Sequence, residues 1–296
     1  MGTSPLSNLA RHDRIRREVE QRSELIPSLP EVVTQILKLL NDSKGAELEQ
    51  FEHHLRNDAA LVARMLRVVN SPFYGLANPV TSIKDAVMVL GFRSLRSLVL
   101  AASTSNYLER NFSCYGHEPK GLWTHSITVA SASRTLAVAI RMDPDHQEEV
   151  FVAGLLHDIG KMLLGPFLAE EGLVLDWGES DIIEEERALL GMDHQEAGSL
   201  IAEKWNLSPM VREVLLHHHE GEPHPAFAEI TALVRISDSY SHALGFGLRK
   251  PQSWDPETRR RDLEILGMDE NSWEDFAPEL AESMEQSVAA LGNLGA

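Results

Sequence analysis

Cysteine is almost missing from this chain. Its 296 residues include one, Cys114, so an intramolecular disulfide is impossible and a disulfide-stapled secreted fold is excluded. The resulting expectation is a reducing, cytoplasmic setting. Basic residues are also in short supply, with 27 Lys and Arg against 45 Asp and Glu, a formal net charge of -18 and a pI near 5.1. That balance argues against the basic face of a nucleic-acid binder. The two basic clusters, Arg14, Arg16 and Arg17 and then Arg259, Arg260 and Arg261, lie beside Glu18, Glu257 and Asp262 and read as solvated helix faces. No uninterrupted apolar run approaches the roughly 20 residues that span a bilayer. The opening Met1-Gly2-Thr3-Ser4-Pro5-Leu6 lacks the charged and apolar regions of a signal peptide, and Leu6 stands where myristoylation needs Ser or Thr. A soluble protein, with neither membrane nor nucleic acid as partner, is expected.

Sustained strand-type alternation is lacking too. Apolar residues recur instead at three- and four-residue steps, which predicts an all-α helical bundle; the 43% hydrophobic content is enough for a sizeable core. Pro30 opens a helix with Val33, Ile36, Leu39 and Leu40 on its buried stripe, a second carries Leu48, Phe51 and Leu55, and a third carries Leu61, Met65, Leu66 and Val69. Ser82-Ile83-Lys84-Asp85 has capping-box spacing and starts a helix ending at Gly91, with another through Leu95, Leu98, Val99 and Leu100. Gly, Pro and charge interrupt the pattern at 110–121, which sets a boundary between a subdomain at 1–120 and another at 121–250. Trp123 to Ile140 and Glu148 to Leu164 read as two long helices around the turn Asp143-Pro144-Asp145. Ser208-Pro209 starts a helix that ends at His217-His218-His219, and Phe227 to Leu244 is helical again. Residues 251–296 suit one or two peripheral helices.

Thirteen histidines are unevenly placed. His125, His157, His194, His217, His218 and His219 fall in strong helical patterns, together with Asp158 and Asp238. A buried carboxylate needs a partner or a metal, so Asp158, inside the apolar run Gly154-Leu155-Leu156-His157-Asp158-Ile159-Gly160-Lys161-Met162, needs company. Helical spacing puts His157, Asp158 and Lys161 on one face, and Gly160 lets another helix approach closely. Most gaps between the candidates are dozens of residues long, which excludes a zinc finger and calls for ligands from different helices. Mixed imidazole and carboxylate donors favour Fe, Mn, Zn, Ni or Co over Mg or Ca. The bland alternative is a buried polar pair that only fixes helix packing. His12, His53, His54, His117, His146, His224 and His242 read as surface or loop residues, and His217 as a helix neighbour of the pair that follows it.

His125, His157-Asp158 and Asp238, in that order, resemble the H...HD...D signature of the HD superfamily of metal-dependent phosphohydrolases, and His157-Asp158-Ile159-Gly160-Lys161 is similar to the form found in its HD-GYP branch. His194 and His218-His219-Glu220 match the later histidines of that branch. The resemblance implies that His125, His157, Asp158 and Asp238 hold one metal and that His194, His218 and His219 hold a second, with Asp158 bridging. The ions would be one or two divalent transition metals, Fe or Mn favoured and Zn, Ni or Co possible. In the N-terminal half, Leu25-Ile26-Pro27-Ser28-Leu29-Pro30, Asn57-Asp58-Ala59-Ala60-Leu61, Val69-Asn70-Ser71-Pro72-Phe73-Tyr74-Gly75 and Ala86-Val87-Met88-Val89-Leu90-Gly91 together resemble the HDOD family, HD-related output domains of bacterial signalling proteins, over roughly residues 24–245.

Two functions follow from these resemblances. The first is an HDOD-type output protein, metal-containing, that binds signalling protein partners or a small nucleotide-like ligand. The second is a metal-dependent phosphohydrolase acting on a nucleotide or cyclic dinucleotide, with Asp158 and Lys161 catalytic and Lys161 steadying charge on the phosphoryl group. Gly221-Glu222-Pro223-His224-Pro225-Ala226 stands where an HD-GYP protein has its Gly-Tyr-Pro segment, and Gly121 where some have a glutamate four residues before the first histidine. Both departures favour the first.

Overall fold

Seven of the described helices begin where a short polar side chain receives one of the first free backbone N–H groups. Asp58 accepts from Leu61, Ser82 from Asp85, Asp143 from Asp145, Asp181 from Ile183, Asp193 from Glu196, Ser208 from Val211 and Asp255 from Thr258. The computed structural model describes residues 5–25, 34–35, 53, 55, 58–70, 76, 78–175, 181–219, 221–248 and 254–291. Among these, the helices are α1 (Pro5–Leu25), α2 (Ala59–Val69), α3 (Ile83–Leu108), α4 (Gly121–Ala139), α5 (Pro144–Leu156), α6 (Lys161–Glu170), α7 (Ile182–Leu190), α8 (His194–Lys204), α9 (Pro209–His217), α10 (Ala228–Leu244), α11 (Pro256–Ile265) and α12 (Glu270–Leu291). There is no strand among the described residues, and a single isolated bridge joins His117 to Leu248. The all-α expectation holds.

Several of the expected elements fall elsewhere. Of the helix expected from Pro30, Thr34 and Gln35 are helical, whereas Val33, Ile36, Leu39 and Leu40 lie outside the described residues, as do Leu48, Phe51, Asn57, Ile26 to Pro30, and Ser71 to Gly75. Asn70, at the edge of that last stretch, holds the chain beyond it: its Nδ2 donates to the Val80 carbonyl at 2.7 Å and its Oδ1 accepts from the Val80 N–H at 2.6 Å. Gly91 adopts φ 74° and divides α3 into two helical segments, as the sequence indicates.

The central element is α4, packed by α5, α10, α12 and α3. It is buried almost all round, from Trp123 through Ile127 and Ala130 to Leu136, as an amphipathic helix cannot be. Small side chains make this possible. Gly154 of α5 lies so close to Ala130 that a Cβ there would stand 3.0 Å from the Ala130 Cα. Thr128 and Thr135 return their hydroxyls to the carbonyls of His125 and Ser131 at 2.7 and 2.9 Å. Against the other side of α4 lies α12, with Leu280 and Met284 fully buried and Ser283 bonded to Ser131 and Thr135. The α1 helix, absent from the sequence-based scheme, buries Ile15 and Val19 against α6, α7 and α8. Its Arg16 pairs with Glu196 at 2.7 Å, so one member of a cluster read as solvated is tied to the helix that begins with His194.

The second of the two expected long helices is broken. After α5 ends at Leu156, Ile159, Lys161, Met162 and Leu163 each donate to the carbonyl three residues back, a tightening to 3₁₀ pairing of the kind found at functional hinges and strained sequences. His157 through Gly160 therefore form a turn, not a helix interior. The stretch Pro144–Glu170 is long and apolar enough by composition to cross a membrane, yet 89% of its most apolar window is buried within the fold.

Gly160 is required at this turn because a Cβ would strike the His194 carbonyl and stand 2.6 Å from the Gly198 nitrogen, all backbone atoms of α8. Gly160→Ala is expected to lower unfolding free energy by about 3 kcal/mol or more. Gly172→Ala, where φ is +67° and nothing stands within 4 Å, should cost only about 1 kcal/mol from backbone strain. Denaturant midpoints of the two variants provide the comparison.

Candidate metal centre

Two histidines terminate helices by the same device. His157 caps α5 and His218 caps α9, where the last carbonyls lack intrahelical partners. Each ring turns back: His157 Nδ1 lies 2.7 Å from the Gly154 carbonyl and His218 Nδ1 lies 3.0 Å from the Leu215 carbonyl. A carbonyl only accepts, so both Nδ1 atoms carry the proton, and both Nε2 lone pairs point away into the core.

The other two rings are fixed as firmly. His194 Nδ1 sits 2.7 Å from Glu186 Oε2 and donates to it. At His125 the assignment follows from a chain of hydroxyls. Thr128 gives its proton to the His125 carbonyl, so it accepts from Ser241 at 2.8 Å, and Ser241 in turn accepts from His125 Nδ1 at 3.1 Å. All four Nε2 atoms thus face inward unprotonated when the imidazoles are neutral.

They meet in two sets around Asp158. In the first, His125 Nε2 and His157 Nε2 are 3.2 Å apart, and Asp238 Oδ1 lies 3.0 and 3.5 Å from them. Asp158 Oδ2 completes the set at 3.7 and 3.4 Å. These separations match the edge of about 3.4 Å expected for nitrogen and oxygen ligands held tetrahedrally about 2.1 Å from one ion. In the second set, His194 Nε2 and His218 Nε2 are 3.1 Å apart, with Asp158 Oδ1 at 3.3 and 3.8 Å. The His219 ring stands with its centroid 5.0 Å from that of His194 and 4.4 Å from that of His218. Asp158, with one oxygen toward each set, is their shared member. Its Oδ1 and Asp238 Oδ1 are buried and accept no hydrogen bond of good geometry, and His219 Nε2 is likewise unpartnered.

Neutral imidazole lone pairs pointing at one another and at carboxylates at contact distance repel unless positive charge lies between them. The donor set therefore fits divalent transition cations, and it supplies the imidazole and carboxylate mixture that such ions take. Lys161 provides part of the compensating charge. Its Nζ is fully buried, 2.6 Å from Asp158 Oδ2 and 5.5 Å from the Tyr115 ring centre. Without metal, burial opposes ionisation of Asp158, but Lys161 and His157 hold its carboxyl well below the usual range. Burial opposes ionisation of Asp238 as well, and the facing imidazoles of His242, His125 and His157 hold it low. Burial would lower His157 too, yet Asp158 and Asp238 outweigh it and carry the ring up to about 10. Burial dominates elsewhere: it pushes His218 down to about 4 and His242 to about 3, and lowers His125 and His219.

The turn carrying His218 and His219 is gripped from outside. Arg235 donates to the His217 carbonyl at 2.8 Å and to the Gly221 carbonyl at 2.7 Å, and lies 3.6 Å from Asp262 of α11. The His219 N–H donates to Gln195, next to His194. His217 itself stays half-exposed beside the cluster, whereas Glu220 lies outside the described residues. Two histidines assigned to surface or loop are buried instead. His242, one helical turn after Asp238, stacks on His125 with centroids 4.4 Å apart and planes at 4°. His117, in a Gly- and Pro-rich segment that resembles a loop, is held by the Gly247 carbonyl and sits 6.0 Å from His125. His53, His146 and His224 are exposed as expected, His12 is half-buried against the Ala188 carbonyl, and His54 lies outside the described residues. Glu186 escaped notice within a run of three glutamates; its register with Ile182, Ile183 and Leu190 was the available signal.

A helical core that brings together His125, His157-Asp158 and Asp238 is that of a protein of the HD superfamily. The HDOD domain family model matches residues 26–221, more than half of the sequence, and the chain belongs to that family. Asp238 and the helices after it lie beyond the matched segment. A crystal structure of an HDOD domain protein of unknown function from Geobacter sulfurreducens is similar at 27% identity and a TM-score of 0.72, over 96% of this chain and 98% of that one. An uncharacterized protein of Treponema pallidum is 25% identical over 221 residues, 70% of this chain and 40% of its own length. A cyclic di-GMP phosphodiesterase of Pseudomonas aeruginosa is 31% identical over 99 residues, 33% of this chain and 22% of its own. The chain thus spans well under half the length of these two curated relatives.

The proton on His157 competes with any cation for the first set. Its folded pKa is raised above the ordinary 6.5, so it stabilises the metal-free fold fully below about 6.5, and that stabilisation is lost as pH rises toward 10. Metal binding between pH 7 and 9 is therefore expected to release about one proton, and affinity to rise about tenfold per pH unit. Calorimetric titration with Zn²⁺ in buffers of different ionisation enthalpy measures this; no proton release would contradict it.

Proposed function

We propose that this chain is a bacterial, cytoplasmic signal-transduction output protein of HDOD type. Its core holds one or two divalent transition ions, Fe or Mn favoured, and it acts by binding protein partners or a small nucleotide-like ligand. The observation that carries this reading is the enclosure of the centre. His125, His157, Asp158 and His194 have no exposure and His218 and Asp238 only 2%, leaving the His219 side chain, 19% exposed, as the point of contact with solvent. A phosphate ester has to reach a metal to be hydrolysed, while an ion that holds helices together does not. Bound by the native state alone, such an ion stabilises the fold by mass action, joining α4, the turn after α5, α8, the end of α9 and α10.

The second reading, a metal-dependent phosphohydrolase or phosphodiesterase, draws on the doubled ligand set and the local similarity to the Pseudomonas aeruginosa phosphodiesterase. Two ions in such a site supply Lewis acidity toward a phosphoryl oxygen and a nucleophile at neutral pH. The chain's own part would be to admit the ester past His219. Lys161, enclosed between Asp158 and Tyr115, would have to leave Asp158 to touch it, and otherwise acts by setting the charge of that carboxylate.

The discriminating experiment incubates protein loaded with Mn²⁺ or Fe²⁺ with cyclic dinucleotides, (p)ppGpp and nucleoside monophosphates, beside an Asp158→Asn variant that keeps the side chain's shape. The expected result is stoichiometric metal in the wild type, at least tenfold weaker metal binding in the variant, and no turnover above the variant's. Turnover abolished by Asp158→Asn would transfer the assignment to the second reading.

A further inference from the structure

His194 differs from the other three inward-facing histidines in what stands behind it. His157 and His218 donate Nδ1–H to backbone carbonyls and His125 to a hydroxyl, whereas His194 donates to the Glu186 carboxylate. A carboxylate is the stronger acceptor, and its negative charge raises the basicity of the nitrogen across the ring. Glu186 is fully buried, and both of its oxygens are engaged. Oε2 receives the His194 ring at 2.7 Å and the His194 backbone N–H at 2.8 Å, and Oε1 receives the Tyr115 hydroxyl at 2.6 Å. Burial and then Glu186 raise the Tyr115 hydroxyl well above its ordinary value, so it remains a donor. The two contacts to His194 fix both the ring and the start of α8. Tyr115 fixes Glu186 in turn, and its ring faces Lys161 across 5.5 Å.

We propose that Glu186, oriented by Tyr115, is the positioning residue of the second ligand set: it fixes the His194 tautomer and raises that ring's donor strength, so the ion held by Asp158, His194, His218 and His219 depends on a carboxylate that touches no metal. The proposal rests on the metal-bearing reading above. Its consequence is inequality between the two sets, since the first has backbone and hydroxyl groups where the second has a charge.

The test is competitive titration of metal-free full-length protein with Co²⁺ or Zn²⁺ against a chromophoric chelator, for wild type, Glu186→Gln, Glu186→Ala and Tyr115→Phe. Glu186→Gln retains an acceptor for His194 and removes the charge. It is expected to weaken one of two bound equivalents about 10-fold and leave the other within twofold, while Glu186→Ala weakens the same equivalent about 100-fold. Tyr115→Phe should have a smaller effect on that equivalent. ¹⁵N NMR of the His194 ring in metal-free protein gives a second readout: Nδ1 protonated in the wild type, and a mixture of tautomers in Glu186→Ala. If Glu186→Ala does not fold, Glu186→Gln and its NMR spectrum decide alone. Two equivalents of wild-type affinity in Glu186→Gln, or equal weakening of both, overturn the proposal. A wild type that binds a single equivalent unaffected by Glu186→Gln would likewise overturn it, and absence of any metal binding by wild type would overturn the reading it rests on.

Discussion

Two carboxylates held away from water, Asp158 and Asp238, are the constraint around which the polar interior of this fold is arranged. A buried carboxylate is tolerated only with positive charge or several donors beside it. Apart from Lys161 on Asp158, the nitrogens nearest these carboxylates are imidazole Nε2 atoms deprived of their protons by what lies behind them. The helix carbonyls of Gly154 and Leu215, the Ser241 hydroxyl and the Glu186 carboxylate each take an Nδ1 proton. The result is a cluster with one fixed cation, Lys161, and a deficit of positive charge at its centre. A metal corrects that deficit, and a single proton on His157 corrects part of it.

The surrounding architecture follows from that need. Ligands separated widely in the chain can converge only if helix backbones approach closely, which explains Gly154 against Ala130 and Gly160 against α8. Elements remote from the centre take part as well. Arg235 links Asp262 of α11 to the carbonyls bracketing His218 and His219, and α1 ties Arg16 to the helix that starts at His194. The centre is thus mechanically joined to helices near both ends of the described chain.

The helical class, the caps at Ser82 and Ser208 and the grouping around Asp158 were legible in the sequence, because each depends on local spacing or on residues too polar for their apolar surroundings. The break after Leu156 was not. Apolar residues continue at helical spacing on both sides of it, and the bond from the His157 ring to the Gly154 carbonyl, which competes with the helical ladder, leaves no mark in that spacing. Glu186 was hidden by its neighbours Glu184 and Glu185, since composition cannot distinguish one inward carboxylate among three. His117 and His242 were misjudged for a related reason. A histidine beside Gly and Pro resembles a loop residue, and one at the end of a helix resembles a solvated one. In both cases burial is decided by distant segments, Gly247 for one and α4 for the other.

The buried stretch Pro144–Glu170 has a consequence for biosynthesis. It leaves the ribosome after α4, the helix that covers one of its sides, but before α9 and α10, which cover others. A segment apolar enough for a bilayer is thus only partly shielded until translation reaches Leu244. The acidic residues at its two ends, Asp145, Glu148 and Glu149 and then Glu170 and Glu171, are charges of the kind that oppose sticking of an exposed apolar segment.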